Sequence, residues 1–177
     1  ISIPRGIENL HVGIANSMTT LEVFVPVPVH RDMYEQVLVA TDGSPTAQRA
    51  VKHAVGLARQ SGADLHAVYV IETRTAYDNA IVDPETVRQH FRTEGEAALA
   101  AVGDQGGSEL AVTTAIREGT PHEELLAYVD ANDIDVVVMG SKGGSAFKTL
   151  VLGSVTEAVV HAEAVPVLVV DPEEPEA

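Results

Sequence analysis

Cysteine is missing from this chain of 177 residues, and so is tryptophan. Without a thiol there is no disulfide framework, no thiolate metal site and no cysteine nucleophile, and the composition suits a reducing cytoplasm. Basic side chains are scarce: 11 lysines and arginines stand against 26 aspartates and glutamates, for a formal charge of −15. A surface of that sign repels a phosphate backbone, so nucleic acid is not an expected partner. No apolar run approaches the ~20 residues that a membrane-spanning helix needs, and no membrane is expected either. Lysine is rarer than arginine, and acids are spread throughout and gathered from Asp171 to Glu176, which reads as a hydrated, halophilic surface. An ordinary acidic protein with an acidic tail is the other reading, and stability titrated against salt separates the two.

What is present is enough apolar material, 45% of the residues, for one sizeable core. Residues 1–32 show no consistent period, being interrupted by Pro4, Gly6, Gly13, Pro26 and Pro28, with only Leu21 to Val29 locally strand-like. They also lack the pattern of a secretory signal. The expected organisation is a poorly ordered tail or extension over 1–32, a folded domain over 33–171 and an acidic tail over 172–177.

From Tyr34 onward strands and helices alternate. Val37 to Ala40 is a short continuous apolar run of the kind buried on both faces of a parallel sheet, ended by Asp42-Gly43-Ser44-Pro45. Ser44 is a natural helix cap with Pro45 at the first helical position, and Ala47, Val51, Ala54, Val55 and Ala58 share one face of a helix that Gly62 can stop. Asp64 to Ile71 reads as a second strand, and Glu72 to Val82 as irregular. Asp83-Pro84 opens a helix to about Val102, weakened by Gly95. Leu110 to Ile116 is the third strand, Thr120-Pro121-His122-Glu123 a capping box, Asp135 to Met139 the fourth strand and Gly140 to Gly144 a glycine-rich loop. A helical segment through about His161 and a strand over Val165 to Val170 close the series. Such alternation implies an α/β fold, a five-stranded parallel sheet with helices on both faces, whose ligands lie outside the carboxyl ends of the strands.

Chemistry concentrates after the fourth strand. Glycines where a strand meets an anion let bare backbone N–H groups approach its oxygens, and a helix beginning at Gly153-Ser154 adds unpaired donors and a positive dipole end. Neither the P-loop nor the dinucleotide glycine fingerprint is present. Alone, Asp42-Gly43-Ser44-Pro45 reads equally as a turn with a helix cap, Gly140 to Gly144 as a structural loop, and Met139 as core filler. The seven histidines have no ligand-like spacing, the acids at Asp83-Glu85 and Glu123-Glu124 suit helix first turns, and no nucleophile elbow surrounds Ser154.

The spacing Gly140, two residues, Gly143, nine residues, Gly153-Ser154 resembles the signature of ATP-binding universal stress proteins, as do the Thr41-Asp42-Gly43-Ser44 ending of the first strand and the last strand, Val165 to Val170. The resemblance covers roughly Met33 to Asp171. It implies the strand order 3-2-1-4-5 of the adenine nucleotide alpha hydrolase-like folds, and ATP as ligand. By that resemblance Thr41 and Asp42 meet the nucleoside, with the Asp42 carboxylate on a ribose hydroxyl. The Val70 main chain meets the adenine edge and Met139 packs nearby. Gly140, Gly143, Gly153, Ser154 and Val155 cradle the phosphates, with Lys142 as a point charge. It also implies a homodimer formed through Val165 to Val170, in which ATP acts as a regulator in a stress response. A slow ATPase or phosphotransferase using Mg²⁺ is one alternative, and a nucleotide-free interaction module of the same fold another.

Overall fold

Val37, Leu38 and Val39 have no solvent exposure at all, which makes their strand the middle of a sheet covered on both sides. In the computed structural model, residues 34–72, 83–142 and 152–171 are described. The expected extension over 1–32, the irregular stretch expected over Glu72 to Val82 except Glu72 itself, the acidic tail 172–177, and Gly143 and Gly144 of the glycine-rich loop lie outside those residues.

The central strand, β1, is Gln36–Ala40, and β2 is Asp64–Glu72, β3 Val112–Gly119, β4 Val136–Gly140 and β5 Val167–Val170. All pair in parallel in the order β3-β2-β1-β4-β5, the order expected from the family resemblance. The helices are α1 Pro45–Ser61, α2 Pro84–Gly106, α3 Pro121–Ala131 and α4 Ser154–His161. Strand alternation sorts the side chains: Val37, Val39, Leu65 and Tyr69 pack under α1 and α2, while Leu38, Val68, Val137 and Met139 pack under α3 and α4. At ~1.5–3 kcal/mol for each large side chain taken from water, these two layers supply the main driving force. Among the described residues no helix is long and apolar enough to cross a membrane.

The helix ends follow from identifiable groups. Ser44 Oγ accepts from the Ala47 N–H at 3.3 Å, and Gly62, at φ 65°, closes α1 in the left-handed conformation that favours glycine. Helix α2 runs past Val102 because Arg59, reaching over from α1, donates to the carbonyls of Gln105 and Gly106 at 3.1 and 3.0 Å and so satisfies its last turn. Strand β3 accordingly starts later than Leu110 and continues through Arg117 and Glu118. The Glu118 carboxylate lies 3.5 Å from Arg88 and 3.7 Å from Arg92 on α2. Helix α3 begins at Pro121 as its sequence predicts, but Thr120 makes no side-chain cap bond, so the expected capping box is not formed. Strand β5 begins at Val167, and Pro166 contributes only a carbonyl, which accepts from the Val137 N–H at 3.0 Å.

Candidate functional site

The connection from β1 runs to β2 on one side, and β4 takes the place on β1's other side, so the strand order reverses between β1 and β4. Their outgoing loops part at the carboxyl edge and leave a crevice. A cleft of about 410 Å³ lies there, within the size range of small-molecule sites.

Its first wall is the exit of β1. Thr41 is buried and its Oγ1 accepts from the Gly43 N–H at 3.2 Å, while Asp42 Oδ1 accepts from the Ser44 N–H at 3.0 Å. Gly43, at φ 77°, completes a turn fixed at each residue. This leaves the exposed Asp42 carboxylate lining the cleft.

The second wall is the end of β2. Asp64 N–H donates to Glu35, and Val68 O accepts from Thr41 N–H, so even-numbered residues of β2 turn their main chain toward β1, while Leu65 turns toward β3 through its bond to Ala111. Val70 continues the even series, and β1 has ended by its level. Its N–H and C=O therefore face the crevice, and Val68, Val70 and Glu72 all line it. Burial and the carboxylates of Glu94 and Asp42 raise the pKa of the Tyr69 phenol beneath this wall.

The third wall is the start of α4 with the end of β4. Gly153 caps α4 in an extended conformation, φ −64° and ψ 149°, and offers no side-chain acceptor to the first amides of the helix. Gly140, Lys142, Gly153, Ser154 and Val155 line the cleft. The space beside Gly140 is occupied: a Cβ there would come within 2.9 Å of Thr46 Cγ2, so glycine at this position lets α1 pack against β4. Met139, for which core packing and a place beside a ligand were both open, combines them, being 4% exposed in the core and lining the cleft.

All the expected site residues except Gly143, which lies outside the described residues, thus border one cleft. Sequence reasoning missed Pro121 and Leu125 of α3, which border the β2 side. The signal was the helix start at Thr120-Pro121, which follows a third strand whose exit is also on this edge. It also missed Thr156, for which a buried hydroxyl two residues into an apolar helix is the only cue.

Residues 33–171 match the family model of the universal stress protein family. The chain belongs to that family. Universal stress protein MJ0531 of Methanocaldococcus jannaschii is 30% identical over 143 residues, covering 78% of this chain and 83% of its own. The solved structure of hypothetical protein MJ0577 superposes with a TM-score of 0.71 at 28% identity, over 81% of this chain and 99% of that one. A universal stress protein solved in complex with cAMP shares the fold, with a TM-score of 0.63 at 24% identity over 80% of this chain and all of that one (100%).

Proposed function

We propose that this universal stress protein binds ATP in the β1/β4 cleft and uses it as a regulatory ligand. The observation that carries the reading is that an α4 N-terminus without a side-chain cap and the end of β2 that runs on past β1 open onto the same cleft from different sides. One end suits an anion, since the first amides of α4 are donors at the positive end of a helix. The other suits a purine. Ala40, Val68, Pro121, Leu125 and Met139 give it apolar walls, and the N–H and C=O of Val70 match N1 and the 6-amino group of adenine. Guanine presents the opposite donor and acceptor order, so the same main chain disfavours it.

Between the two ends, Thr41 and Asp42 stand at the ribose, with the carboxylate accepting from a hydroxyl. Gly140, Gly153, Ser154 and Val155 stand around the phosphates. Among the described lining residues Lys142 is the cation, set against Asp42 and Glu72, a balance in which Mg²⁺ would supply the counter-charge that ATP needs. A protein of this fold has been solved with cAMP, and the case for this chain rests on its own cleft. The regulatory unit in this reading is a homodimer paired along β5, the edge strand beside β4.

The test is thermal melting with ATP, GTP and adenosine. A ligand held only by the folded state at 100 times its Kd stabilises by about 2.7 kcal/mol. ATP is expected to raise the melting temperature more than GTP does, and Asp42→Ala to weaken the effect. No shift with millimolar ATP overturns the proposal.

A further inference from the structure

Among the described residues, three hydrogen bonds tie together the end of β4, the start of α4 and β5. Ser141 N–H donates to Val170 O at 2.8 Å, Gly153 N–H donates to Ser141 O at 2.8 Å, and Thr156 Oγ1 donates to Gly140 O at 2.9 Å. The first two are main-chain bonds that any residue could make. The third needs the hydroxyl of Thr156, a side chain only 4% exposed.

Ser141 directs its N–H to β5, so the carbonyl of Gly140, across the same trans peptide, points the opposite way, toward the space beyond the end of β1. That space is the cleft, which both Gly140 and Thr156 border. A bare carbonyl there would present the negative end of its dipole where the α4 amides present their positive ends. The Thr156 hydroxyl occupies that carbonyl, and the same bond holds the first turn of α4 against the end of β4.

We infer that Thr156 is a positioning residue for the polyphosphate: its bond to Gly140 fixes the open N-terminus of α4 at the cleft and removes a repulsive carbonyl from the anion's surroundings. This rests on the reading of the cleft as an ATP site, and it concerns the phosphate end alone. Valine is close to threonine in shape and lacks the donor, whereas serine keeps it.

The experiment is calorimetric titration of ATP and of adenosine into the unaltered protein and into Thr156→Val, Thr156→Ala and Thr156→Ser, each variant first checked by circular dichroism for its fold. The expected result is that the Val and Ala variants lose about tenfold in ATP affinity, the scale of one hydrogen bond at an anion site, while adenosine affinity stays within about twofold. Thr156→Ser keeps both affinities. Either Val or Ala suffices if the other does not fold. Variants that bind ATP as the unaltered protein does, or that lose ATP and adenosine equally, overturn the role of Thr156 and leave the site reading standing. Absence of ATP binding in the unaltered protein, or equal affinity there for ATP and adenosine, overturns the site reading and this inference together.

Discussion

His66 points from β2 into the layer beneath the cleft, with Nδ1 2.9 Å from the Tyr128 hydroxyl and Nε2 2.8 Å from Gln36 Oε1. Gln36 Oε1 can only accept, so the ring proton sits on Nε2 and Nδ1 accepts from Tyr128. Arg117 stacks over the Tyr128 ring at 5.2 Å, adding a cation to the same corner. Burial lowers the His66 pKa below its ordinary 6.5, with the Asp64 carboxylate acting in the raising direction. A depressed histidine pKa means that the unfolded chain binds the proton more readily. The stabilisation is therefore complete above pH 6.5 and is lost as the pH falls from there through the depressed folded value. Urea midpoints measured between pH 5 and 8 are expected to rise with pH in that window, and to rise less in His66→Gln. Equal slopes for the two proteins would remove His66 as the cause. At this scale the sequence offered an anion's approach as the reason for glycine at 140, and the structure adds another. Thr46 occupies the space where a Cβ would stand, a contact between residues 94 positions apart that no spacing rule encodes.

Helix α2 shows two local preferences in competition. Gly95 costs a helix roughly 1 kcal/mol relative to alanine, which is why it weakened the helical reading of that stretch. Its reason is the Tyr69 ring, which a Cβ at position 95 would approach to 2.7 Å. Overpacking a buried contact costs ~1–3 kcal/mol, so the clash outweighs the gain in propensity. Gly95→Ala is expected to lower stability by about 1 kcal/mol net in urea unfolding. Adding Tyr69→Leu should relieve the clash, so a double variant no better than the sum of its parts would argue against this contact. Element types were legible because each strand and helix carries its own period and punctuation: the buried run at β1, and proline at the start of α1, α2 and α3. Boundaries failed where the deciding group came from elsewhere. Arg59 lengthens α2, and ion pairs to Arg88 and Arg92 support a polar end of β3 that composition alone reads as loop.

For the whole molecule, alternation implied a parallel sheet but could not order it, because side-chain period says nothing about which distant strands pair. The order came from resemblance, and the pairing of β1 with β4 bears it out. The proposed dimer belongs to this scale as well. Among the described residues β5 pairs on one side only, and Leu168, 41% exposed, is an apolar side chain on that edge strand. Leu168→Arg is expected to convert a dimer to a monomer in sedimentation velocity with little change in fold. A variant that still sediments as a dimer would place the subunit contact elsewhere.

The bond between Asp135 Oδ2 and the N–H groups of Glu35 and Gln36, at 2.7 and 2.8 Å, joins the two strands across about a hundred residues. Closing so long a segment comes late, since its entropy cost must be met before the contact repays it. A chain emerging from the ribosome carries β1, β2 and β3 before β4 exists, and without β4 the cleft has no opposite wall. In the proposed reading, a ligand held between β1 and β4 needs both walls, so its binding would report that nearly all of the domain has been synthesised and docked.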